Sequence, residues 1–154
     1  MISFEAHTFK IPFTFVLMGI LLGIDFGLKR TGLALTDDLK MIASPLEMVA
    51  SEKLMQRLES LVVQYKIDGF VLGYPLSLDG TFTDVTQNVL YLKDAIAKQF
   101  VNIPIYLQNE QYTSKRASQA IFLAGKKKDL KNKGLVDKIS AAILLQDYLA
   151  HLAD

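Results

Sequence analysis

Three carboxylates stand where reactive groups collect in α/β proteins. Asp25 lies inside the stretch Ile20 to Asp37, ILLGIDFGLKRTGLALTD, and an ionised side chain within such an apolar run is costly unless something pairs with it. Glu110 comes just past the apolar run Ile103 to Leu107, and Asp137 opens the last apolar-periodic segment of the chain. Strand ends of an open sheet, with a helix N-terminus beside them, are where ligand sites form in such architectures. Carboxylate oxygens without His or Cys nearby suit hard cations such as Mg²⁺ or Mn²⁺. Two such ions about 4 Å apart can activate water and stabilise the leaving oxygen at a phosphodiester. The 16 acidic residues offer many triples, so spacing by itself singles out none. Each member also has a plainer reading. Asp25 could bond to backbone amides, Asp137 could act only on a helix dipole, and Glu110 could be a solvated loop residue.

The basic residues form two groups. Lys29 and Arg30 sit in the turn after Asp25, placed to touch a phosphate, although exposed basic turns are common. From Lys126 to Lys138 the segment KKKDLKNKGLVDK carries six lysines against two aspartates. A local patch of this kind, with Lys126, Lys127 and Lys128 at its head, suits a polyanion better than a net charge of +1 suggests. Its contribution to nucleic-acid binding would be salt-dependent and independent of sequence.

The elements that must position these groups follow from periodicity. Residues 20–26 and the return through Gly32 to Leu35 predict a hairpin, and Met41 to Val49 predicts a third strand that Pro45 marks as an edge or irregular. Leu54, Leu58, Leu61, Val62 and Tyr65 predict an amphipathic helix capped by Ser51. Phe70 to Gly73 and Ile103 to Leu107 predict buried strands. Residues 84–99 and a segment after Ser114 ending at Gly125 predict two more helices. A final helix over about 136–152 is apolar around much of its circumference and belongs in the interior. The loop Tyr74 to Thr83 carries turn chemistry at Pro75 and Asp79-Gly80. Three strands and then helix–strand alternation predict an α/β domain with a mixed five-stranded sheet covered by helices on both faces.

Length and composition exclude several classes. One domain with a proper core is expected at 154 residues. With no cysteine there is no disulfide framework and no thiolate metal site, and two histidines near opposite ends, His7 and His151, argue against a histidine-rich one. The apolar stretch from Ile11 to Ile24 is short for a membrane span, which needs about 20 residues, and it lacks the flanks of a signal peptide. Residues 1–17 are therefore expected to be a hydrophobic extension, with residues 18–154 the single domain and no membrane involvement.

The string LLGIDFGLKRTGLALTD resembles the opening motif of the YqgF/RuvX family of Holliday junction resolvases and pre-16S rRNA nucleases. The likeness continues in ASPLE (43–47), VLGYPL (71–76), LDGT (78–81), NEQYTS (109–114) and VDKISAA (136–142), covering about residues 19–150 in the family's order. It implies a ribonuclease H-like fold and a cytoplasmic, Mg²⁺- or Mn²⁺-dependent nuclease. The substrate it implies is structured RNA at the 5′ end of pre-16S rRNA or branched DNA, with ribosomal particles as further partners. The catalytic and metal-ligating residues it implies are Asp25, Glu110 and Asp137. The chain departs from the family at Asn109 and Gln111, where the usual residues are aspartate and arginine. Asn109 can still offer an uncharged carbonyl oxygen, whereas Gln111 cannot reproduce a bidentate phosphate contact. The Asp-x-Gly-x-Lys pattern is also similar to the phosphate-binding hairpin of sugar kinases and Hsp70-like ATPases. Those enzymes close two such domains on a nucleotide, and this chain has length for one.

Overall fold

A computed structural model describes residues 19–75, 84–110, 113–125 and 127–153. The extension at 1–17, most of the predicted loop with Asp79-Gly80, Gln111 and Lys126 lie outside the described residues. Strands β1 (Ile20–Phe26), β2 (Arg30–Thr36) and β3 (Ala43–Ala50) come first, followed by a 3-10 turn at Ser51–Lys53 and helix α1 (Leu54–Gln64). Then come β4 (Ile67–Tyr74), α2 (Asp84–Gln99), β5 (Ile105–Asn109), α3 (Thr113–Leu123), a 3-10 turn at Lys127–Lys131 and α4 (Lys133–Ala153). The sheet order is β3-β2-β1-β4-β5, antiparallel across the first three and parallel from β1 outward through β4 to β5.

The two faces of the sheet are built differently, and this difference makes the site. On one face Leu22, Ile24, Leu33, Phe70 and Leu72 meet Leu54, Leu58 and Leu61 of α1 and Val89 and Ile96 of α2. This is the larger core, with full-sized aliphatic side chains on both sides, each worth about 1.5–3 kcal/mol on burial. On the other face α4 brings its own small residues, Ala141 and Ala142, with Leu145 and Leu149, against Leu21, Ala34 and Val71 of the sheet. Glycines bring α4 closer still. A Cβ at Gly23 would stand 2.9 Å from Leu145 Cβ, and one at Gly32 would stand 2.0 Å from the backbone oxygen of Asp137. Helices thus cover both faces, as the alternation of elements predicts.

Three local expectations are corrected. Ser51 does not cap α1, which starts at Leu54 with no side-chain cap. Its hydroxyl donates to the Gly27 carbonyl and lies 2.8 Å from Thr31 Oγ1, tying the β1–β2 turn to the end of β3. Strand β5 starts at Ile105 rather than 103, because Pro104 has no N–H for the ladder and contributes only its carbonyl, to Phe70 N. It continues through the polar Gln108 and Asn109, which pair with Gly73 and Tyr74. As an edge strand it exposes Tyr106 and Leu107, so it is not buried on both faces. Finally, α4 begins at Lys133, which places Asp137 in the second turn, where the helix dipole acts weakly.

Ser51→Ala is expected to lower stability by about 1–2 kcal/mol, because buried Thr31 loses its hydroxyl partner. Urea melts of the two proteins check this; an unchanged midpoint would show that the hydroxyl does not hold the turn.

Candidate active site

Asp25 occupies the sixth position of β1, where the strand leaves the core. Across the ladder it pairs with Gly32 of β2. On its other side β4 runs parallel, with Leu72 beside Ile24 and Gly73 next in line. Both flanking positions thus lack side chains, and each absence admits a group from another element. Over Gly32 passes the α4 backbone at Asp137. Over Gly73 lies the Glu110 carboxylate, whose Oε2 would be 3.0 Å from a Cβ there. Glu110 is held at the end of β5 by its backbone N–H, which donates to Tyr74 O at 3.2 Å. Glycine inside a strand commonly marks such a close approach.

The electrostatics show how near the groups are. Burial pushes the Asp25 carboxyl well above the usual carboxylate range, and a hydrogen bond with Glu110 and the negative charges of Glu110 and Asp137 push the same way. Two carboxylates bond to each other only through a proton, and the raised Asp25 carboxyl is the group placed to carry it. Asp137 is balanced differently: Arg30 Nε donates to its Oδ2 at 2.7 Å. Arg30, grouped by sequence with the phosphate-contacting turn, is therefore a partner of one of the three carboxylates. Lys29 beside it is exposed.

The structure thus brings Asp25, Glu110 and Asp137 to one end of the sheet. Among the described residues, however, no group of three or more His, Asp or Glu is already arranged to hold an ion. The Arg30 guanidinium at Asp137 offsets part of the carboxylate charge. An all-oxygen donor set that needs such compensation fits a hard dication chemically. Of the lysine patch, Lys128 is exposed on the 3-10 turn, and nothing is described of the Lys127 side chain. Asn109 is exposed at the end of β5.

A second feature adjoins the first. A cleft of about 620 Å³ opens between the end of β5, α3 and the C-terminal half of α4, with Gln108 and Asn109 in its wall. Arg116 grips Asp147 through two contacts of 2.6 and 3.1 Å, and His151 Nδ1 lies 3.1 Å from Gln108 Oε1. Sequence reading does not single out these residues. The available signal was Arg116 and Asp147 on the polar faces of two helices, which any solvated surface also shows.

The family profile described as RuvX, Holliday junction resolvase, matches residues 19–151. A protein of Amoebophilus asiaticus named "Putative pre-16S rRNA nuclease" is 38% identical over 134 residues, 86% of this chain and 95% of the relative. One of Azobacteroides pseudotrichonymphae with the same name is 40% identical over 136 residues, 88% and 99% of the two chains. Among solved structures, Thermus thermophilus RuvC in complex with a Holliday junction substrate superposes with a TM-score of 0.54 at 13% identity. That alignment covers 88% of this chain and 96% of RuvC. A likeness at that identity shows the fold, which is ribonuclease H-like as the resemblance implied.

Proposed function

This chain belongs to the RuvX family of Holliday junction resolvases, and on that premise we propose that it is a divalent-metal-dependent endonuclease maturing the 5′ end of pre-16S rRNA. The observation that carries the reading is the meeting of Asp25 with Glu110 and Asp137 at one end of the sheet. The choice of RNA rests on the relatives named for pre-16S rRNA. The same names support a cytoplasmic setting on maturing ribosomal particles. We read residues 18–154 as one nuclease domain, in keeping with the family match over 19–151, and residues 1–17 as an extension outside it. Among the described residues no helix is long and apolar enough to cross a membrane.

Asp25, Glu110 and Asp137 are the residues that would hold Mg²⁺ or Mn²⁺. A metal bound there would supply a more acidic water and offset charge on the phosphodiester. The protein's own groups do the rest. Asp25, whose carboxyl burial holds well above the usual range, must be ionised to act as a ligand. Arg30, partly exposed beside Asp137, has N–H groups left to donate to a phosphate oxygen, a task suited to a planar guanidinium. Lys29 at the turn, and Lys126 to Lys128 ahead of α4, would hold the flanking backbone by charge. Asn109, in place of the family's aspartate, leaves one negative charge fewer at the strand end.

The test offers the purified chain a pre-16S RNA carrying its 5′ leader and, separately, a four-way DNA junction, each with Mn²⁺ or with chelator. Cutting of the RNA leader that stops with chelator and outpaces junction cutting is expected. Faster resolution of the junction would turn the assignment to branched DNA. Tight RNA binding with no cleavage in any ion would leave a binding module.

A further inference from the structure

We infer that the cleft between β5, α3 and α4 is a subsite for one unpaired nucleotide of the substrate strand, adjoining but separate from the carboxylate site. The inference rests on the nuclease reading only in taking nucleic acid as the ligand.

The shape argues first. At about 620 Å³ the cleft falls within the roughly 300–1,000 Å³ typical of small-ligand sites. A nucleotide protruding from its strand fits such a concavity, whereas a stacked duplex presents a convex surface that cannot enter. Proteins read RNA mainly through such splayed-out bases, by their hydrogen-bonding edges and by stacking on flat groups.

The wall supplies each type of contact. Asn109 and Gln119 bring two exposed side-chain amides, each able to donate and to accept. That is what the mixed edge of a base requires. Behind them Gln108, 6% exposed, is fixed at both ends of its amide, Oε1 3.1 Å from His151 Nδ1 and Nε2 donating to Asn109 O at 3.5 Å, so the floor of the cleft is rigid before any ligand arrives. The guanidinium of Arg116 is likewise locked in plane by Asp147, leaving a flat surface for a base. With Arg116 neutralised by its partner, Lys115 on the rim is the cation for the nucleotide's phosphate.

Position argues last. Gln108 is two residues before Glu110, about 7 Å along a strand. A nucleotide in the cleft would therefore lie close to the phosphate at the carboxylates. Glu110 is thus the carboxylate next to the cleft, while Asp137 stands at the far side of the site, about 21 Å from His151 along α4. The cleft thus selects single-stranded substrate next to the cut, a task that the carboxylates cannot perform.

The full chain is titrated in chelator with a short labelled oligoribonucleotide and with a fully paired RNA duplex. Lys115→Ala and Gln119→Ala alter exposed helix positions, so both variants are expected to fold. Lys115→Ala should weaken single-strand binding about five- to tenfold and reduce the slope of log K against log salt by about 0.7. Gln119→Ala should weaken it about three- to tenfold with the slope unchanged. Duplex binding should stay within about twofold for both, since the duplex makes neither contact. Equal losses for strand and duplex, or no loss in either variant, would overturn the subsite. Cleavage by the wild-type chain is scored separately in Mn²⁺. If it fails while the single-strand losses persist, the nuclease reading falls and the subsite stands.

Discussion

Asp25→Asn is expected to abolish cleavage, by about 10³-fold or more, while making the ion-free protein more stable at neutral pH. The loss of activity follows because a carboxamide keeps the shape but not the charge, and groups acting as one set fail together. The gain in stability follows from the sign of the titration. Burial and the neighbouring Glu110 and Asp137 raise the folded-state pKa of Asp25. The folded chain therefore keeps a proton that the unfolded chain releases at about pH 3.9. The stabilisation linked to that proton is complete below the unfolded value and disappears as pH rises through the folded one. Wild-type stability in chelator should accordingly fall as pH rises above about 4, and the Asp25→Asn protein should lack that fall. Urea melts at several pH values, paired with cleavage assays, separate the possibilities. A variant that is less stable at neutral pH would mean that Asp25 holds the backbone and has no need of a cation.

Gly32→Ala should be strongly damaging, because the group it meets is backbone that cannot move aside. The added Cβ would meet the Asp137 carbonyl oxygen at 2.0 Å and its carbon at 2.4 Å, both in helix backbone. No rotamer change relieves that contact; α4 must lift from the sheet. Overpacking of this kind costs about 1–3 kcal/mol, and an unyielding neighbour favours the upper end. Because the displaced residue is Asp137 itself, activity should also fall, by about 10²-fold for a shift near 1 Å. Gly73→Ala is the comparison. Its Cβ would meet side-chain atoms of Glu110 and Leu144 at 3.0 Å, which can give way. Its stability loss should be the smaller of the two. Equal losses in chemical denaturation would show that α4 does not rest on Gly32 as closely as 2.0 Å implies.

These two glycines illustrate why the site was only partly legible. Gly32 and Gly73 look alike in sequence, each a small residue in an apolar strand. Their meaning depends on what crosses above them, which is a matter of helix direction. Ser51 shows the same limit at shorter range: a serine before a helical pattern is a good cap, yet its hydroxyl turned to Gly27 across the β1–β2 turn. Strand β5 was read two residues early because hydrophobicity marks burial, whereas the ladder of an edge strand needs only backbone partners.

Local periodicity and turn chemistry were enough to place the strands and helices in order and to expect a mixed sheet between two helical layers. A family likeness spread along nearly the whole chain added the three acidic positions. What each carboxylate meets could not be read from the linear chain. Asp137 found Arg30, 107 residues away, and Asp25 found Glu110. The cleft was assembled from residues of β5, α3 and α4. Such partnerships are set by strand register and by the line along which α4 crosses the sheet. That line is drawn by glycines and alanines whose missing side chains leave no periodic mark.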